Sequence, residues 1–118
     1  MRLWTILPGD FTPTEEEILR VEAALPSALA EIGPSLLPKH RPYDAFWERL
    51  DDYRRQYAGV TRLGMRLVVG NIVSAGFCEH ADWRTQPVLV DDGGYGVLAV
   101  TFDLGSGMFL DVTSNGYA

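Results

Sequence analysis

The sequence predicts an α+β fold in which two N-terminal helices pack on one face of a four- to five-stranded antiparallel sheet. Three observations carry that prediction. Apolar residues recur at helical spacing over residues 13–32 and again over 42–58. From Gly59 the apolar period changes to two. The strand-like runs are joined by short turns, and short turns connect only antiparallel neighbours, because a parallel pair needs a long crossover. At 118 residues and 47% apolar composition, the chain reads as one domain with a single core, without need of disulfide or metal staples.

In chain order, Thr12 is placed to cap the first helix, with Pro13 at the first helical position and Glu15 completing a capping box. Ile18, Val21, Leu25, Ala28, Leu29 and Ile32 then share one face, and Pro26 predicts a kink or break near Leu25. Gly33 and Pro34 are read as the stop. "GPSLLPKHRP" (33–42) is the connector to a second helix running through "YDAFWERLDDYRRQYAG", whose apolar stripe is Tyr43, Phe46, Trp47, Leu50, Tyr53 and Tyr57. Gly59 stops that helix. The strands then follow to about residue 114. They are a hairpin around Leu63 and Gly64, "PVLV" (87–90), "YGVLAVTF" (95–102) and "MFLDVT" (108–113), with "DDGG" and "DLGSG" as turns. Asn115-Gly116 closes the last strand, and Tyr117 is expected to fold back on the surface.

One residue stands out against the helical reading of 42–58. Arg54 falls inside the apolar stripe, whereas Arg55 and Gln56 point away from it. A guanidinium aimed at a sheet must snorkel out or meet a carboxylate, since an unpaired buried charge costs several kcal/mol. Asp91, Asp92, Asp103 and Asp111 are the candidate partners. In the structural reading Arg54 ties the helix end to the sheet. In the functional reading Trp47, Tyr53, Arg54 and Tyr57, with Asp91 and Asp92, line a binding pocket between the second helix and the sheet.

The other constellations are weaker. "CEHAD" (78–82) gathers a thiol, an imidazole and carboxylates, but the only other histidine, His40, lies in a proline-rich loop, and zinc sites need three or four protein ligands. A Cys/His nucleophile pair two residues apart has the wrong spacing. "DDGGYG" (91–96) precedes a strand rather than the helix a phosphate loop requires, and lacks the alternating acids of a calcium loop. No Ser/His/Asp set and no dinucleotide fingerprint appears. The sequence therefore assigns no catalytic residue, no metal and no cofactor, and favours a noncatalytic protein over an enzyme.

The formal net charge is −6. Residues 1–40 carry three basic and six acidic side chains, residues 41–66 six and four, and residues 67–118 one and six. One modest positive segment in an acidic chain argues against nucleic-acid binding, which draws on many clustered cations. A basic protein partner suits the acidic remainder. No apolar run is long enough to span a bilayer, and the single cysteine leaves the redox compartment open. The N-terminal residues do not read as a secretory signal, which places the chain in the cytoplasm as it stands, or outside it if a leader has been removed.

"YRRQYAGV" (53–60), Gly64, Asn71, Phe77-Cys78, Trp83, "VDDGG" (90–94), "VTFD" (100–103) and "NGYA" (115–118) together resemble a family of uncharacterised small bacterial proteins, many of them exported or lipoprotein-like. The resemblance implies an architecture and no activity, substrate or cofactor. The leading expectation is a small acidic noncatalytic binding protein of the inhibitor or immunity type that sequesters a macromolecule. The alternatives are a small-molecule binder or enzyme using the pocket above, and an envelope-associated structural protein.

Overall fold

The computed structural model describes residues 2–79 and 82–116. Its elements are β1 (Trp4–Ile6), α1 (Glu15–Leu36), β2 (Tyr53–Arg62), β3 (Met65–Ser74), β4 (Val97–Asp103) and β5 (Met108–Ser114). The strands form one five-stranded sheet in the order β1-β2-β3-β4-β5. Four strands run as an antiparallel meander, but β1 lies parallel to β2, with Trp4, Thr5 and Ile6 opposite Arg55, Gln56 and Tyr57. The sheet is therefore mixed. The crossover that a parallel pair requires is supplied by α1 itself.

The first helix begins two residues later than expected. Thr14 is the cap, accepting from the Glu17 backbone N–H while the Glu17 carboxylate accepts from the Thr14 N–H. Glu15, Glu16 and Glu17 sit at the positive end of the helix dipole. Pro26 does not break the helix, and neither do Gly33 and Pro34 stop it before Leu36. Pro26 is exposed, while Val21, Leu25 and Leu29 on either side of it are fully buried, so packing holds the helix across the missing hydrogen bond.

The expected second α-helix over 42–58 does not form. Phe46–Glu48 and Leu50–Asp52 are single 3₁₀ turns, and "YRRQYAGVTR" is the strand β2. Tyr53 and Tyr57, four residues apart, share a face under either period, which is why their spacing did not separate helix from strand. "PVLV" is likewise irregular rather than a strand. The expected Leu63-Gly64 hairpin turn is present, with φ of 50° and 78°, and joins β2 to β3.

One face of the sheet packs on α1. Leu25, Leu29, Phe46, Leu50, Tyr53, Ile72 and Leu98 form one part of that core, and Trp4, Ile18, Val21, Tyr57, Val68 and Phe102 continue it. The opposite face is partly covered by the irregular segments 75–79 and 82–96, whose Trp83 and Val88 pack on Val73 and Val97. No helix among the described residues is long and apolar enough to cross a membrane.

Gly59 is a site of close backbone approach within β2 and not a helix stop. Phe11 bridges to it, the Asp10 N–H donates to its carbonyl at 2.8 Å, and a Cβ there would collide with the Phe11 carbonyl and ring. Gly59→Ala is expected to cost about 1–3 kcal/mol through overpacking, measured by urea unfolding. An unchanged midpoint would show that the 7–11 segment is not docked there.

Candidate functional site

Because β2 is a strand, its side chains alternate between faces. Tyr53, Arg55 and Tyr57 point to α1, and Arg54 and Gln56 point to the other side. Arg55 is only 6% exposed. Its Nη1 donates to the carbonyls of Leu50 at 2.8 Å and Tyr53 at 3.1 Å, and its Nε lies 3.4 Å from Glu22 Oε2. The Tyr57 hydroxyl donates to the same carboxylate. Burial first, then the Glu22 charge, holds the Tyr57 phenol well above its ordinary range, which keeps it a donor.

The expected guanidinium with an anionic mate is thus present, but it belongs to Arg55 and its mate is Glu22 of α1. Arg54 lies on the opposite face and donates to the carbonyls of Asp51 at 3.0 Å and Tyr53 at 3.2 Å. Asp91 and Asp92 are exposed in the turn before β4 and form no ion pair among the described residues. Trp47 lies flat against Gly33 of α1, edge-on to Phe46 at 5.2 Å. These residues are not assembled into one pocket, and the seam around Arg55 is occupied by its own partners.

A cleft does open beside that seam. It has a volume of about 410 Å³ and is formed where the 38–53 segment meets the start of the cover at Ser74–Phe77 and its end at Gly93–Gly96. Asp44 sits in its wall, accepting from Arg49 at 2.7 Å and from the Tyr95 hydroxyl. The Tyr95 bond first, and Arg49 second, hold Asp44 below the ordinary carboxylate range. Its contribution to stability is present above the ordinary carboxylate pKa and is lost as pH falls through the lower folded value. Tyr95 stacks on Phe46 at 5.0 Å, and the Tyr53 hydroxyl donates to the Tyr95 carbonyl at 2.8 Å, so both aromatic walls are fixed. Burial raises the Tyr53 phenol far above its usual value, so it too remains a donor.

No family model, curated protein or solved structure matches this chain. The site is therefore read from its own chemistry. Of the six candidate pocket residues named from the sequence, only Tyr53 lines this cleft. Arg41, Asp44, Arg49 and Tyr95 were missed. They come from a proline-rich connector and a turn, where no periodicity signals which side chains converge.

A second concavity of about 210 Å³ lies between α1 and the edge strand β5. The β4–β5 register shifts at Thr101/Phe102, pairing Thr101 with Asp111 and Phe102 with Phe109, so Leu110 is the extra residue of a bulge. Leu110 lines the groove with Val112 and, from α1, Ala28 and Ile32. Leu110 is 53% exposed and Ile32 37%, and the bordering acids Glu31 and Asp111 have no ion-pair partner among the described residues.

Cys78 is half-buried, its thiol reaching the Ser74 carbonyl at 3.7 Å, and burial raises its pKa, the opposite of an activated thiolate. His80 and Tyr117 lie outside the described residues. Among the described residues no three His, Cys, Asp or Glu side chains stand close enough to hold a metal ion.

Proposed function

We propose that this is a noncatalytic binding protein that sequesters a basic polypeptide, and that the α1–β5 groove is where the partner docks. The observation that carries this reading is Leu110, a large apolar side chain on an open sheet edge, next to two acids that have no cation of their own among the described residues. The partner's chemistry follows from the groove: an apolar anchor to cover Leu110 and Ile32, flanked by Lys or Arg to meet Glu31 and Asp111. The bulge interrupts the flat hydrogen-bonding edge of β5, which favours side-chain insertion into the groove over addition of a full-length strand. A second copy of the chain is disfavoured as the occupant, because it would bring another −6 charge to an acidic rim.

The test uses a synthetic peptide of alternating Lys and Leu, with a Glu-Leu peptide as control. Binding of the Lys peptide is expected to perturb the NMR signals of residues 28–32 and 108–112, to weaken with added salt over a Debye length of about 8–10 Å, and to be abolished by Leu110→Lys. Equal binding of the Glu peptide, perturbation confined to another face, or self-association through Leu110 would overturn the reading.

A further inference from the structure

We infer that the cleft between residues 38–53 and 93–96 binds a small aromatic acid, a planar ring bearing one carboxylate or phosphate group. This does not depend on the α1–β5 groove. The volume of about 410 Å³ falls in the range of small-molecule sites. Tyr53 and Tyr95 form walls already locked by their own hydrogen bonds, and Phe77, a large ring left 43% exposed, stands at the opening. The Phe77 ring packs against the bare backbone of Gly96, where a Cβ would sit 2.8 Å from the ring. An apolar ring at the mouth and fixed aromatic walls suit a flat apolar body.

The charged groups set the sign of the ligand. Asp44 is already neutralised by Arg49 and accepts from the Tyr95 hydroxyl, so it has little to offer an incoming cation. Arg41 is different. It is exposed, it is in no ion pair among the described residues, and its guanidinium's one hydrogen bond there, to the Tyr95 hydroxyl, is 3.5 Å long. Its remaining donors are free to grip an anion in a fork, and the His40 side chain beside it in the chain has no partner among the described residues either. The carboxylate of Asp52, which also lines the cleft without a partner among the described residues, limits the ligand to a single anionic group, because a second would be repelled.

Benzoate and phenyl phosphate serve as probes, with benzylamine and acetate as controls, and the amide signals of residues 74–77 and 93–96 are followed by NMR. Benzoate or phenyl phosphate is expected to saturate these signals at about millimolar concentration, with the stronger of the two identifying the acid group. Arg41→Gln, on an exposed side chain, should weaken binding about tenfold without altering the melting temperature, as loss of a charge-assisted fork predicts. Phe77→Ala should weaken it comparably, and Leu110→Lys should leave it unchanged. Benzylamine binding as well as benzoate, no saturation by either acid, or an Arg41→Gln protein with unchanged affinity would each overturn the assignment. Because Leu110→Lys removes only the groove, failure of one site is distinguishable from failure of the other.

Discussion

Glu22→Gln is expected to destabilise the protein by about 2–4 kcal/mol, somewhat less than breaking a fully buried ion pair costs, since the Glu22 side chain itself is 20% exposed. The substitution keeps an acceptor for the Tyr57 hydroxyl but removes the carboxylate that pairs with the Arg55 guanidinium. Arg55 Nε makes no hydrogen bond, so the Glu22 charge is what compensates it. The reverse change should cost less. In Arg55→Met the carbonyl of Leu50 still accepts from the Tyr53 N–H and the carbonyl of Tyr53 still accepts from Arg54, while Glu22 retains Tyr57 and partial access to water. About 0–2 kcal/mol is expected there. Urea unfolding of the wild type and the two variants decides the matter. Equal losses for the two single changes would mean that the pair is not buried as described.

That pair also shows what the sequence could and could not convey. A charged residue amid the aromatic residues of "YRRQY" was legible, as was its need for an anionic mate. Its identity was not, because helix and strand agree about Tyr53 and Tyr57 and disagree about Arg54 and Arg55. Only the helix partner, Glu22, thirty-odd positions upstream, breaks the tie, and nothing local points to it. The hairpin at Leu63-Gly64 and the strands β4 and β5 were legible because turn chemistry and period agree there. β1 was not: three residues ahead of a proline carry too short a pattern, and their pairing with β2 is long-range and parallel. Of the candidate pocket residues only Tyr53 pointed to the cleft, and the α1–β5 groove was legible only as scattered apolar residues, since the bulge at Leu110 leaves no trace in composition.

Gln56→Leu is expected to cost about 2–4 kcal/mol and to loosen the cover locally, since several buried polar groups at about 1–3 kcal/mol each would lose their partner. Gln56 is 4% exposed and every hydrogen-bonding position of its amide is used. Nε2 donates to the carbonyls of Trp83 and Gln86, both at 2.6 Å, and Oε1 accepts from the Val88 N–H at 2.9 Å and from Asn71 Nδ2 at 3.0 Å. One side chain on a central strand thus takes the place of the backbone ladder that the irregular 82–90 segment lacks. Leucine conserves volume but leaves the Val88 N–H and two carbonyls facing an apolar surface. Gln56→Glu should be worse, because a carboxylate would oppose the two carbonyls that now accept from the amide. Hydrogen exchange distinguishes a clamp from an ordinary core residue: the Val88 amide should lose protection at denaturant concentrations where the β3 amides keep theirs. Since the cover's flanks, Ser74–Phe77 and Gly93–Gly96, also line the cleft, benzoate affinity should fall in Gln56→Leu although Gln56 itself does not line that cleft. Uniform loss of protection across sheet and cover, with affinity unchanged, would show that Gln56 stabilises the core alone and does not hold the cleft in shape.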